Sequence, residues 1–479
     1  MPEQAYTPSA VIKCPTELHL SPSTVAVLGD QTVERIETLT TGARVKPGTR
    51  FLLGAGGQPW TWGNATLRTF RSRADTTQRD YSTDLKTWLD WAQTNDVDPE
   101  QFTPDDVLDF REDRLDVDEV SPEAWNRNLI ALATLVEVLT GAGVRDSRPW
   151  VHARDLRVRT SDRPIRSVDR TTYIRFRDVG MRGMALDGSL DAGFTGLTGM
   201  RDGLFADLLV STGMRRVEAS HLLLTDLPAG KRGEPVARGF LPGVICKNNS
   251  GRPFLLTSRW RSELSDYHAT EWLNLVSSSQ RVYATSADSL TTVTDFDGER
   301  GLINGRWRRM DNLQRHVRLR LVTTSDVARR LGLTVPDGWL VPLAVFPGTR
   351  SPGARPDTWT TIFRTASLRT QALVQRAGLP IVTTRVTPHM LRHTFATQYL
   401  QSRMDSISLD DRRAAQHGDL ERIKRFLTNP LMDLQNLLGH RQMDTTLAYL
   451  REVAQRDPLV ELAHTSWTDA FLSSEGSDA

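Results

Sequence analysis

A chain of 479 residues is too long for one hydrophobic core and, at about 150 residues per domain, implies roughly three. Its 39% hydrophobic residues and 33 glycines exclude wholesale disorder, and no run approaches the ~18 apolar residues of a membrane span. With 60 Lys+Arg against 58 Asp+Glu, bulk charge does not advertise nucleic-acid binding, so any such surface must come from segregated charge. The opening MPEQAYTPSA lacks the basic and apolar parts of a signal peptide, and Cys14 and Cys246 lie too far apart in sequence for a disulfide framework. A soluble cytoplasmic protein with reduced thiols and no membrane partner is expected.

Residues 1–65 show weak periodicity and end in the glycine-rich LGAGGQPWTWGN, which reads as an N-terminal extension. Over 66–150 a small helical domain is expected. Tyr81, Leu85, Trp88, Leu89 and Ala92 fall at helical spacing, and SPEAWNRNLIALATLVEVLTGAG opens on a Ser-Pro cap and closes at Gly141. Acidic residues gather at Asp96 to Asp113. Residues 151–185 form a basic linker, in which Arg154, Arg157, Arg159, Arg163, Arg166 and Arg170 could follow a phosphate backbone. A further arginine cluster, Arg306 to Arg320, reads as a solvated face unless a motif supports it.

The larger unit expected over 186–455 begins with a helix through Leu204, Phe205, Leu208 and Leu209, ended by Gly213, followed by a second through Val217 and Leu222. In GFLPGVICKNNSGRPFLLT, two apolar runs flank Lys-Asn-Asn-Ser-Gly, a hairpin signal. Residues 257–345 are too mixed to assign. Asp357 is placed to cap a helix with Trp359, Ile362, Phe363 and Ala366 on one face. Thr387 and Pro388 read as N-cap and first residue of another. There His389 and Arg392, three apart near a helix N-terminus, suit an anion such as phosphate. His389 and His393 are also four apart, as in zinc peptidase helices, but those require a glutamate where this chain has Met390, so no metal is expected. Downstream a helix ends at Gly439 before His440, and another, capped by Asp444, carries Tyr449. Upstream, Arg215 follows a Gly turn with Glu218 three residues on, able to hold its guanidinium.

In order along the chain, T-G-M-R-x-x-E, a hairpin lysine, H-x-L-R-H-T-F-A-T, L-L-G-H and T-T-x-x-Y resemble the tyrosine recombinase (phage integrase) family. The motifs span residues 212–449, and His440 precedes Tyr449 by nine positions, as in the family's last motif. The resemblance implies a fold mainly α with a small β-sheet, in which a helical core-binding (SAM-like) domain and a catalytic domain close as a clamp around double-stranded DNA. It also implies that Arg215 and Arg392 clamp the scissile phosphate, that His389 and His440 add hydrogen bonds, and that Tyr449 is the nucleophile. Glu218 and His393 would support them. A hairpin lysine would protonate the leaving 5′ oxygen. Of the six lysines only Lys231 and Lys247 lie between the arginine boxes, and the following Arg252, Phe254, Leu255 and Leu256 point to Lys247.

The implied activity is site-specific cleavage and rejoining through a 3′-phosphotyrosyl link, for integration, excision or resolution of a mobile element, without metal or other cofactor. The implied assembly is a homotetramer on paired sites, with accessory DNA-binding proteins as further partners. The tail 456–479, with Pro458, Leu459, Leu462, Ala463, Trp467 and Phe471 at helical spacing, would dock on a neighbouring protomer. Two departures from the family are the 142 positions from Lys247 to His389 and the 48 from Arg392 to His440, read as insertions within 257–345 and 401–430. Two other functions stay open. A type IB topoisomerase would share the chemistry, though the tail favours a recombinase, and a non-catalytic DNA-binding regulator would share the scaffold, though the complete residue set argues against it.

Overall fold

Prolines and small polar caps set several helix starts. Thr103 and Asp106 form a reciprocal capping box before Pro104, and the Ser121 hydroxyl accepts from the Ala124 amide before Pro122. The computed structural model describes residues 9–13, 48–54, 57–150, 152–158, 166–231, 233–379, 385–417, 430–440 and 442–455, in two units, Met1–Arg163 and Pro164–Ala479.

In the first unit the strands β1 (Ala10–Lys13) and β2 (Arg50–Leu53) pair antiparallel. Four helices follow: α1 (Thr61–Thr69), α2 (Asp75–Thr94), α3 (Pro104–Glu112) and α4 (Pro122–Gly141). Their shared core is aromatic, with Trp88 edge-on to Phe102 and Phe110 at 4.6 and 5.1 Å between ring centroids. Of the expected stripe, Leu85, Trp88, Leu89 and Ala92 are buried there and Tyr81 packs against them half-buried. Asp84, also buried, accepts from Arg127 at 2.7 Å and Asn128 at 2.6 Å, so its charge is compensated across α2 and α4. The beginning of the basic linker lies on α4: the Asn126 amide donates to Val158 O and accepts from Val158 N, and Trp125 Nε1 donates to Leu156 O.

The second unit starts with α5 (Arg170–Arg175), α6 (Gly199–Thr212) and the short α7 (Arg216–Ser220). Then β3 (Val236–Leu241) and β4 (Arg252–Thr257) form a hairpin. The apolar run before Lys247 is not a strand: Pro242 ends β3, and Gly243–Ile245 is a 3-10 turn whose Ile245 and Cys246 are buried. The hairpin loop is therefore longer than its sequence suggests. The segment read as an insertion contains α8 (Ser258–Tyr267), α9 (Leu273–Thr285) and a five-stranded sheet. Its chain order is β5 (Thr291–Asp297), β6 (Arg300–Ile303), β7 (Arg306–Arg309), the helical turn α10 (Arg315–Arg318), β8 (Leu321–Thr324), α11 (Ser325–Arg330) and β9 (Leu340–Pro342). Spatially the order is β7-β6-β5-β8-β9, with only β5 and β8 parallel.

The last helices are α12 (Pro356–Arg376), α13 (Pro388–His417), α14 (Pro430–Leu438) and α15 (Met443–Gln455). α12 starts two residues earlier than a cap at Asp357 would place it because Pro356 occupies its first position, which leaves Asp357 in the first turn. α15 likewise begins at Met443, one residue before Asp444. Thr387 does cap α13, accepting from the Met390 amide at 3.2 Å. The chain is thus mainly helical with small sheets, and among its described residues no helix is long and apolar enough to cross a membrane. Cys14, Arg159, Arg163 and the apolar stripe after residue 456 lie outside the described residues.

Candidate active site

α6 ends at Gly213, whose φ of +65° suits a residue without Cβ and turns the chain into Met214 and Arg215. Glu218, three residues on and only 1% exposed, accepts from the Arg215 amide at 2.7 Å and from its guanidinium at 2.9 Å. It also pairs with Arg252 at the start of β4. Arg252 is buried and donates a further bond to Leu437 O on α14 at 2.9 Å. One carboxylate therefore serves two arginines, one of them 34 residues further along the chain than Glu218. In the sequence Arg252 reads only as a marker of the hairpin. Its role escapes sequence reasoning because the signal, a lone arginine opening a strand, acquires meaning only once α14 lies beside it.

Arg392 is held by the same assembly. Only 2% exposed, it donates to Gly213 O at 2.6 Å and Leu438 O at 2.7 Å, and it lies 3.2 Å from His440 Nε2. Burial, then the charges of Arg215 and Arg252, pulls its pKa down to about 9, so it stays mostly protonated at neutral pH. His440 is fixed from its other side by Thr446, 3.0 Å from Nδ1. Burial and Arg392 hold its pKa near 3, so the ring is neutral, Nε2 accepts from Arg392 and Nδ1 donates to Thr446.

Tyr449, on α15, is 3% exposed and packs with Leu400, Leu434 and Leu438. Its hydroxyl lies 2.9 Å from His393 Nδ1, and its ring is parallel to His440, 6.0 Å away. His393, pulled to about 4 by burial first and by His389 and Arg392 next, is neutral and accepts from the phenol. Burial raises the Tyr449 pKa, which Arg392 and Arg215 partly offset. His389, one turn before His393 on α13 with ring centroids 4.2 Å apart, lines a cavity of about 330 Å³ with Arg215, Arg216, Thr387 and Arg392. Cationic side chains and the start of α13 thus face one space, as anion binding requires.

The structure therefore brings together Arg215, Glu218, His389, Arg392, His393, His440 and Tyr449. Lys247 stands apart, exposed at the tip of the β3–β4 loop before Asn248 and Asn249, both with positive φ. Arg154, Arg157, Arg166 and Arg170 are exposed. Among the described residues, no group of three or more His, Cys, Asp or Glu side chains is placed to hold a metal ion.

Residues 64–143 match the family model for the phage integrase N-terminal SAM-like domain. No curated protein sequence matches the chain. Among solved structures, it is similar to the XerH site-specific recombinase in a post-cleavage complex with palindromic difH substrate, at 13% identity over 95% of this chain and 100% of that one, TM-score 0.49. It is also similar to a lambda integrase dimer bound to a COC′ core site, at 11% identity over 83% and 78%, TM-score 0.45. A third is the Tn1549 transposon integrase with circular intermediate DNA, at 14% identity over 81% and 94%, TM-score 0.37.

Proposed function

We propose that this chain, in which a match to the phage integrase SAM-like domain precedes an Arg-His-Tyr cluster, is a site-specific DNA recombinase of the tyrosine type. The observation that carries the reading is that Arg392, His440 and Tyr449 are linked by a hydrogen bond and a ring contact while Arg215 lines the same cavity as Arg392. Double-stranded DNA is the substrate. Arg215 and Arg392 neutralise the non-bridging oxygens of the scissile phosphate as negative charge builds in the transition state, and His389 and His440 add hydrogen bonds. The Tyr449 oxygen bonds to phosphorus while its proton passes to His393 Nδ1, 2.9 Å away. The bond from phosphorus to the 5′ oxygen breaks, and Lys247 supplies the proton that oxygen needs. Reversal with a second strand's 5′ hydroxyl rejoins DNA without an external energy source.

The test is a nicked suicide duplex that loses its 5′ end on cleavage and traps the covalent complex. The Tyr449→Phe protein is expected to bind this DNA as the parent does and to form no covalent product. Trapping by the Phe variant would refute the assignment of the nucleophile.

A further inference from the structure

The β3–β4 loop that carries Lys247 is exposed at its tip but tied at its stalk. The Arg315 guanidinium donates to three consecutive carbonyls, from Nε to Val244 O at 3.0 Å and from Nη2 to Ile245 O at 3.0 Å and Cys246 O at 2.9 Å. These residues immediately precede Lys247. A fixed planar fork that meets three successive acceptors restrains the backbone in direction as well as position, which a single bond does not. The far side of the loop closes on itself: a Cβ at Gly243 would come within 2.7 Å of Asn249 O. Arg315 is itself anchored. Three residues on in α10, the wholly buried Arg318 donates to His221 O and Met310 O, each at 2.8 Å, and pairs with Asp226. The segment read from sequence as an insertion thus reaches back and grips the lysine loop.

We propose that Arg315 is a positioning residue for Lys247, setting the height and direction from which its ammonium reaches the leaving 5′ oxygen. This rests on the reading of Lys247 as the proton donor. The inserted segment then contributes to cleavage through one guanidinium on α10.

The experiment compares single-turnover cleavage of a normal suicide duplex with that of one carrying a 5′-bridging phosphorothiolate, whose sulfur leaves without protonation. Arg315→Ala is expected to slow the oxygen substrate on the order of 10-fold or more while cleaving the sulfur substrate within about threefold of the parent rate. Arg315→Lys should recover part of the loss, since an ammonium can reach one or two of the carbonyls. The double variant with Lys247→Ala should be no slower on the oxygen substrate than Lys247→Ala alone, because both changes remove the same proton transfer. Equal slowing of both substrates by Arg315→Ala, or additive losses in the double variant, would overturn the proposal and leave a structural role. Should the Ala variant lose its folded state, Arg315→Lys carries the same oxygen-against-sulfur comparison. If Lys247→Ala itself shows no sulfur rescue, the proton-donor reading fails and this inference with it. If Lys247→Ala is rescued and the Arg315 variants are not, the inference alone fails.

Discussion

At the scale of single residues, the candidate site separates groups that hold charge from groups that stay neutral. Among the described residues Glu218 is the one carboxylate paired with the cluster of Arg215, Arg252 and Arg392, and it pairs with Arg215 and Arg252 but not with Arg392. His393 and His440, held near 4 and 3, are neutral in the free protein. Both values lie below the usual 6.5, so for these groups the unfolded chain binds more protons than the folded one between about pH 6.5 and 4. Their contribution to stability is intact above pH 6.5 and is lost as pH falls through that window. Histidine nitrogen shifts in the free protein should show His393 and His440 neutral at pH 5, and titration of either near 6.5 would contradict a buried, cation-flanked environment. The arginine and histidine motifs were legible in sequence because each is local, its partners lying three to nine residues apart. The Arg252 to Glu218 pairing was not, because no short-range pattern connects a strand start with the helix turn 34 residues earlier.

At the scale of elements, the legible parts were those with chemical punctuation. Ser121-Pro122, Thr387-Pro388, Gly213 and Gly439 mark helix ends by capping or by a left-handed turn, and the structure uses each of them so. The sheet formed by residues 291–342 was opaque for physical reasons. Its strands are three to seven residues long, and β7 is the all-exposed edge sequence Arg-Trp-Arg-Arg, with no alternation to betray a buried face. The run Val244 to Cys246 misled because burial in a 3-10 turn asks for the same residues as burial in a strand. A turn residue also carries a testable consequence. Gly439 has φ +66°, and a Cβ there would lie 2.7 Å from Arg252 Cδ, whereas Gly378, with φ +67° at the end of α12, has nothing within 4 Å. Gly378→Ala should cost only the left-handed penalty of about 1–2 kcal/mol. Gly439→Ala should cost more in urea unfolding and should also slow DNA cleavage, because Arg252 and Leu438 O both border the displaced turn. Equal unfolding midpoints and unchanged cleavage would mean that the turn does not support Arg392.

At the scale of the whole molecule, exposed arginines lie in sequence on both sides of the boundary between the two units. Arg154, Arg157, Arg166 and Arg170 are exposed, with Arg154 only loosely paired to Asp155 at 3.6 Å, so their guanidiniums are accessible to phosphates. Replacing these four with Gln should weaken binding to all duplexes alike and flatten the salt dependence, by about 0.9 in slope for each phosphate that is no longer neutralised. Selective loss on one site sequence with an unchanged slope would instead indicate base reading. The shift in periodicity read near residue 186 lies after the boundary between the two units, Arg163–Pro164, because Val168, Tyr173, Phe176 and Met181 already belong to the second unit's core. The number of sheets was not legible, since strand pairing is non-local. Cleavage of this kind leaves a covalent bond between protein and DNA, and that bond can be located chemically. The parent protein is trapped on a suicide duplex, digested with nuclease and protease, and the nucleotide-bearing peptide is located by mass spectrometry. A 3′-phosphonucleotide on Tyr449 alone is expected. An adduct on another residue, such as Tyr399 on α13, would contradict it, as would no adduct from protein that binds the duplex.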